Sequence, residues 1–221
     1  TARTASRALR PLAQAWTAWR ARGRCDVAVL DVYSGAAFRW AESAAAALRA
    51  AGLPLVCALH GGNLPAFAER APARVARLLA RADAVVAPSR YLAEAVRAFR
   101  PDVRIVPNPI DVAAYERRVR TAAAPRLVWL RAYHAIYDPV RAVEVVARLA
   151  PEFPTLTLAM VGPDKDGSLA RVRAAAERLG VADRVRLEGA VAKGAVPARL
   201  AAGDVFLNTT TIDNTPVSVL E

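Results

Sequence analysis

Short continuous apolar runs alternate along the chain with segments whose apolar residues recur every three or four positions. The runs VAVLDVY (Val27–Tyr33), LPLVCAL (Leu53–Leu59), DAVVAP (Asp83–Pro88) and Val103–Val106 predict buried strands. Helices are expected between them: over the first 24 residues, over Ala36–Ala51 with a stop at Gly52, over a region reaching Arg81, and over Arg90–Phe99 with Ser89 as N-cap. In the first helix Leu9, Leu12, Trp16 and Trp19 recur at spacings of three and four, with Pro11 in a first turn and Arg3, Arg7, Arg10, Arg20, Arg22 and Arg24 around them. After a polar stretch the alternation restarts. Strands are expected at Arg126–Leu130, Thr155–Val161, Arg184–Leu187 and Asp204–Leu207. The helices are Asp138–Ala150, Ser168–Leu179 with Gly180 as its stop, Lys193–Ala202, and one beginning near Pro216 with Asn214 or Thr215 as N-cap.

Uniformly apolar strands alternating with helices signal parallel sheets covered on both faces. The chain therefore reads as α/β, with two Rossmann-like, doubly wound parallel-sheet domains at 1–110 and 126–221 and a linker at 111–125. The halves share an order of elements and no sequence repeat. Open parallel sheets bind ligands beyond the carboxyl ends of their strands. That rule singles out the loops His60–Pro65, Asn108–Asp111, Arg131–Asp138, Gly162–Gly167, Gly189–Lys193 and Asn208–Glu221.

Composition narrows the picture further. In 221 residues, 55% are hydrophobic and 23% charged, which suffices for a packed core. No apolar run approaches the roughly 18–20 residues that a spanning helix needs. Residues 1–118 carry 18 basic and 9 acidic groups, and residues 119–221 carry 13 and 11, so most of the net charge of +11 lies in the first half. Such an excess suits an anionic membrane surface, an anionic substrate or nucleic acid. The near-exclusive use of Arg, with only Lys165 and Lys193 as lysines, is also what a GC-rich genome writes. The nucleic-acid reading lacks aromatic platforms, zinc-ligand spacing and a helix-turn-helix signature. Trp16 and Trp19 among the arginines suit a membrane headgroup layer, or else a helix packed by its Trp side onto the first domain. Cys25 and Cys57 have no metal-type spacing, Cys57 reads as a small buried hydrophobe, and a reduced cytoplasmic setting fits both. The expected location is cytoplasmic, or peripheral on the inner membrane face.

The most informative stretch is Asp204–Glu221. A strand runs into a polar loop that returns to a helix, with Asp213 and Glu221 eight residues apart across the turn. Free amides at a helix start favour phosphate, and a carboxylate one or two turns on can accept hydrogen bonds from sugar hydroxyls. An ordinary N-capped helix with exposed acids is the plainer reading of those residues alone.

Together with Ala84–Ser89, Val106–Asp111, Val185–Gly189 and Asp204–Phe206, this tail resembles the retaining glycosyltransferases of family 4, which have the GT-B fold and a Glu-x7-Glu motif in this place. Asp213 and Glu221 match the two acidic positions, with Asp in place of the commoner first Glu. The resemblance covers nearly the whole chain. It implies that Asp213 contacts the donor sugar and Glu221 the ribose hydroxyls of the nucleotide, with Asn214 and Thr215 beside them. It implies that Arg131 meets the donor diphosphate. The family's Lys about five residues further on is absent, and Tyr137-Asp138 stands near its place. His60 would lie near the reacting centre on the acceptor side, with Gly61, Gly62 and Asn63 as weaker companions. Gly162 and the loop from Gly189 to Ala192 would wall the nucleotide base. Catalytic roles thus fall to His60, Arg131 and Asp213.

The implied reaction moves a sugar from a nucleotide diphosphate donor to a glycan or lipid-linked acceptor with retention, without metal or other cofactor. Closure about Pro107–Asp111 and Arg117 would gate it. Asp164-Lys165-Asp166 reads as a turn rather than as an Asp-x-Asp metal motif. Beside the family pattern the chain is expected to be a fragment: Met160 is its one methionine, and no strand with a glycine-rich loop precedes Trp16. Two other functions remain open at this point, a sugar-nucleotide epimerase of the same architecture and a non-enzymatic basic adaptor for membrane or nucleic acid.

Overall fold

The computed structural model describes residues 9–116, 119 and 121–221. Arg3, Arg7 and Arg117 lie outside them. The chain divides into two compact units, Thr1–Asn108 with Asp213–Thr215, and Pro109–Ile212 with Pro216–Glu221. Each unit contains one four-stranded, wholly parallel sheet.

The first unit runs α1 (Arg10–Ala21), β1 (Ala28–Val32), α2 (Ala36–Ala50), β2 (Leu55–Leu59), α3 (Leu64–Arg70), α4 (Pro72–Leu79), β3 (Ala84–Ala87), α5 (Arg90–Val96) and β4 (Arg104–Ile105). Its sheet order is β1-β2-β3-β4. The helical region expected to reach Arg81 breaks at Ala71, because Pro72 cannot donate a backbone hydrogen bond and biases the residue before it away from helix. Ser89 caps α5, its hydroxyl accepting from the Leu92 amide at 3.3 Å. In register, Ala28, Leu30 and Val32 stand beside Leu55, Cys57 and Leu59. That row, continued by Val85 and Ala87, forms one core with Phe38 of α2, Leu64 of α3, Leu78 of α4 and Leu92 of α5.

The opposite face is less covered. Burial alternates residue by residue along β1, β2 and β3, and Val29 is 66% exposed. This corrects the expectation of a first strand buried on both sides. The described strands step in one direction across the sheet, and helices α2 to α5 all pack on the same face. The first helix also departs from one of its two readings. Ala18 is buried with Ala51 and Leu53, whereas Leu12, Trp16 and Trp19 lie exposed on the opposite side of the helix. Trp16 and Trp19 stack with centroids 5.7 Å apart, and the Arg20 guanidinium sits over Trp16. Among the described residues no helix is long and apolar enough to cross a membrane.

The second unit runs β5 (Arg126–Leu130), α6 (Pro139–Leu149), β6 (Thr157–Val161), α7 (Ser168–Arg178), β7 (Val185–Gly189), α8 (Val196–Ala201), β8 (Val205–Phe206) and α9 (Val217–Leu220). The sheet order is β7-β6-β5-β8. From β5 the chain steps outward on one side through β6 and β7, then returns to pair β8 on the other. The point where the order reverses, between β5 and β8, is where a doubly wound sheet opens a crevice. β5 is covered on both faces, with Val128 and Trp129 buried. Asp138 caps α6 from a left-handed conformation, as the Asp-Pro pair predicted. Two expectations are corrected here. Among the described residues β8 pairs with β5 alone, and Val205 is 42% exposed. The last helix begins at Val217 behind Pro216, and neither Asn214 nor Thr215 caps it.

Candidate active site

In the second unit, three loops meet beyond the carboxyl ends of β5, β6 and β8. Arg131 is the first residue after β5. Its amide donates to Val161 of β6 at 3.1 Å, and its guanidinium lies 5.0 Å from the centroid of the Tyr137 ring. Near the place where the family pattern is expected to carry a lysine, an aromatic ring thus faces the Arg131 cation. Gly162 follows β6 with φ +153° and packs against the peptide of Arg131, so closely that a Cβ there would overlap the Arg131 carbonyl oxygen. Its amide donates to the carbonyl of Gly189, which ends β7 in a left-handed conformation. Gly162 and Gly189 are thus glycines for the backbone's sake, and they bring three strand ends together.

Asp164 and Asp166 serve this loop. Asp164 accepts from the Gly167 amide at 3.0 Å, and Asp166 accepts from the Ala135 amide at 2.9 Å and from Ser168. The Ser168 hydroxyl first, and the Ala135 amide second, hold the Asp166 carboxyl down to about 2. The turn predicted from Gly-Pro-Asp-x-Asp-Gly therefore also pins the Arg131 loop. His134 is part of the same construction, its Nδ1 accepting from the Ile136 amide. On the other side the β8 loop is tied in. Trp129 Nε1 donates to Thr209 Oγ1 at 3.0 Å, Thr209 donates to the Tyr137 carbonyl at 2.7 Å, and Thr211 bonds the Ile136 carbonyl through amide and hydroxyl. Sequence reasoning named the Asn208–Glu221 loop without picking these threonines. Their signal was the run Thr209-Thr210-Thr211 directly after a strand.

Glu221 lines a cavity of about 560 Å³ with Ile110, Tyr115, Lys193, Pro197 and Val217. Burial first, and then the hydrogen bond its hydroxyl gives Glu221, push Tyr115 up to about 12. Tyr115 and Lys193 were not among the residues expected to form a site. A second concavity, of about 490 Å³, lies at the amino ends of β5, β6 and β7, opposite the end where open parallel sheets bind ligands.

In the first unit, His60 is the residue after β2. Its amide donates to the Val32 carbonyl at 2.9 Å, which prolongs the β1–β2 ladder by one step. Its ring stacks on Tyr33, with centroids 5.1 Å apart and planes at 20°. Its Nε2 lies 3.0 Å from Asp31 Oδ1. Gly61 has φ +83°, and a Cβ there would lie 3.8 Å from the Tyr33 ring. Tyr91 of α5 donates to the Gly62 carbonyl at 3.3 Å. Asn63 precedes α3 without a side-chain capping bond. Burial, with Asp31 as a second cause, raises the Tyr33 hydroxyl above its ordinary value. Asp213, Asn214 and Thr215 also fall to this unit, where Asp213 accepts from the Asn214 amide and Asn214 from the Thr215 amide. The expected site residues are thus distributed over two units, with Arg131, Gly162 and Gly189 joined in one cluster and His60 to Asn63 in another.

Residues 2–114 match the sequence profile described as Glycosyltransferase Family 4. No curated protein matches the chain in sequence. Among solved structures, Anabaena Alr3699/HepE in complex with UDP and glucose is 18% identical with a TM-score of 0.70, over 90% of this chain and 57% of that one. The lipopolysaccharide outer core galactosyltransferase WaaB is 15% identical with a TM-score of 0.63, over 96% and 58%. A UDP-forming α,α-trehalose-phosphate synthase from Burkholderia vietnamiensis is 12% identical with a TM-score of 0.72, over 95% and 57%. The chain therefore spans little more than half the length of these neighbours. Its two parallel sheets are those of the GT-B fold.

Proposed function

The chain belongs to glycosyltransferase family 4, and from that premise we propose that it carries out, as part of the whole protein, sugar transfer from a nucleotide diphosphate donor with retention at the anomeric carbon. The observation that carries this reading is the placement of Arg131. It stands at the reversal point of the second sheet, on a loop fixed by Asp166, Thr209 and Thr211 and over the ring of Tyr137. A preorganised cation there stabilises the charge that develops on a departing diphosphate. The guanidinium supplies what a metal would otherwise supply, so the transfer is proposed to need no metal and no other cofactor. Glu221, beside Tyr115 in its cavity, is proposed to hold the ribose, and Asp213 the donor sugar. His60 with Gly61, Gly62 and Asn63 is proposed to serve the acceptor. UDP in the Anabaena neighbour makes UDP-sugars the first donors to try.

The acceptor is proposed to be a glycan or lipid-linked molecule at an anionic membrane. Support comes from α1, whose exposed Trp16–Trp19 pair lies beside Arg20, Arg22 and Arg24.

Calorimetric titration of the full-length protein with UDP-, GDP- and ADP-sugars, with and without EDTA, tests the donor site. One nucleotide class is expected to bind equally well in EDTA, and Arg131→Ala or Glu221→Ala is expected to weaken that binding by tenfold or more. Binding that neither substitution changes refutes the site assignment. Binding to none of the donors favours the basic adaptor. Conversion of the donor sugar with no acceptor present favours the epimerase.

A further inference from the structure

Asp31 is an odd residue to find in a strand. It is the one acid within VAVLDVY, a run otherwise apolar up to its closing tyrosine. Its register partner is Ala58, two residues before His60, on the half-exposed face of the sheet. A diagonal neighbour at that offset is within reach of a long side chain. The chain uses the reach, since the carboxylate comes to 3.0 Å from His60 Nε2 while Tyr33, two residues on and on the same face, stacks against the imidazole. The His60 backbone is fixed by its bond to Val32, and the neighbouring Gly62 carbonyl is held by Tyr91. Ring plane, ring position and one ring nitrogen are therefore all constrained.

From this geometry we infer that Asp31 is a positioning residue for His60, fixing the imidazole so that Nδ1 is presented as a hydrogen-bond acceptor to a substrate hydroxyl. An ionised carboxylate can only accept, so the proton of the neutral ring sits on Nε2 and Nδ1 keeps its lone pair. The inference rests on the reading of His60 as an acceptor-side group of a transferase. A purely structural role for the pair is a weak alternative, because the Asp31 side chain is 65% exposed and exposed ion pairs add little to stability.

The test is a double-mutant cycle in the full-length protein. Release of nucleoside diphosphate is followed with UDP-glucose, or with the GDP- or ADP-sugar that titration selects, as donor and an alkyl glucoside as the acceptor hydroxyl, for wild type, Asp31→Ala, His60→Ala and the double variant. Asp31→Ala is expected to lower kcat by about 10- to 100-fold, the scale of a misplaced reacting group, with donor KM and thermal midpoint close to wild type. The double variant is expected to be no worse than His60→Ala alone, since a residue acting through another has nothing left to lose. Losses that multiply, or an Asp31→Ala enzyme as fast as wild type beside a slow His60→Ala, overturn the inference about Asp31. A His60→Ala enzyme with full turnover, or a wild type that turns over none of the donors, overturns the underlying reading, and the inference falls with it.

Discussion

Gly162→Ala is the sharpest test of how the second unit is built. At Gly162 the backbone has φ +153°, a region that L side chains rarely adopt, and an added Cβ would overlap the carbonyl oxygen of Arg131 and lie 2.6 Å from its carbon. The obstacle is backbone, so no rotamer change relieves it. The conformational strain costs about 1–3 kcal/mol. The ends of β5 and β6 must then separate by roughly an ångström, at an overpacking cost of about 1–3 kcal/mol. That movement also loosens the bonds from Arg131 to Val161 and from Gly162 to Gly189, each worth about 0.5–1.5 kcal/mol. The sum is about 3–9 kcal/mol, a large part of the roughly 5–15 kcal/mol that holds a domain folded.

Gly189→Ala is the control. Gly189 also has positive φ, at +65°, but its Cβ would meet nothing within 4 Å, so the cost is about 1–2 kcal/mol of left-handed strain alone. At about 4 °C per kcal/mol for a unit of this size, calorimetric unfolding of the full-length protein should show Gly162→Ala lowering the midpoint by at least about 12 °C and Gly189→Ala by about 4–8 °C. Donor affinity should fall with Gly162→Ala as well, because the peptide that moves is the one that carries Arg131. Equal midpoints for the two variants would mean that Arg131 and Gly162 are not in contact, and the arrangement of the strand ends would be wrong.

Two further outcomes are expected. Asp166 is depressed to about 2 in the folded protein, so the stability it adds is full above the ordinary carboxylate value near 4 and is lost as pH falls through about 2. The midpoint difference between wild type and Asp166→Asn should therefore close between about pH 4 and pH 2, and a difference that stays constant through that window refutes the assignment. The protein should sediment with phosphatidylcholine vesicles only when phosphatidylglycerol is added, and the Trp16→Ala/Trp19→Ala variant should stay in the supernatant. Equal sedimentation of the two proteins refutes a docking role for α1.

Much of the fold could be read from the sequence because its signals are local. Ser89 and the Asp138-Pro139 pair announced helix starts that the structure contains, and the apolar runs marked every strand to within a few residues. What went unread depends on neighbours. Val29 and Leu30 look alike in sequence, but the register with Val56 and Cys57 sends one to the half-exposed face and the other to the core. Burial of a strand is a property of what packs on it, and an apolar run does not carry that information. The same limit applies to Leu12, Trp16 and Trp19, whose helical spacing established a stripe without saying which way it points.

The site shows the same division in sharper form. Arg131, His60 and Gly162 were singled out through the family resemblance, and each also directly follows a strand, a position that the chemistry of parallel sheets marks in advance. Asp31, Tyr115 and Thr209 were missed because their relevance comes through a second residue: His60 across the ladder, Glu221 across a cavity, and Trp129 beneath a loop. An isolated Asp in a β-branched run is nevertheless a legible anomaly. A carboxylate inside an apolar strand run stands out from its neighbours, and the residue two past its register neighbour on the adjacent strand is the first position within its reach. Across VAVLDVY and LPLVCALH, that offset links Asp31 to His60 from the pairing of two strands alone.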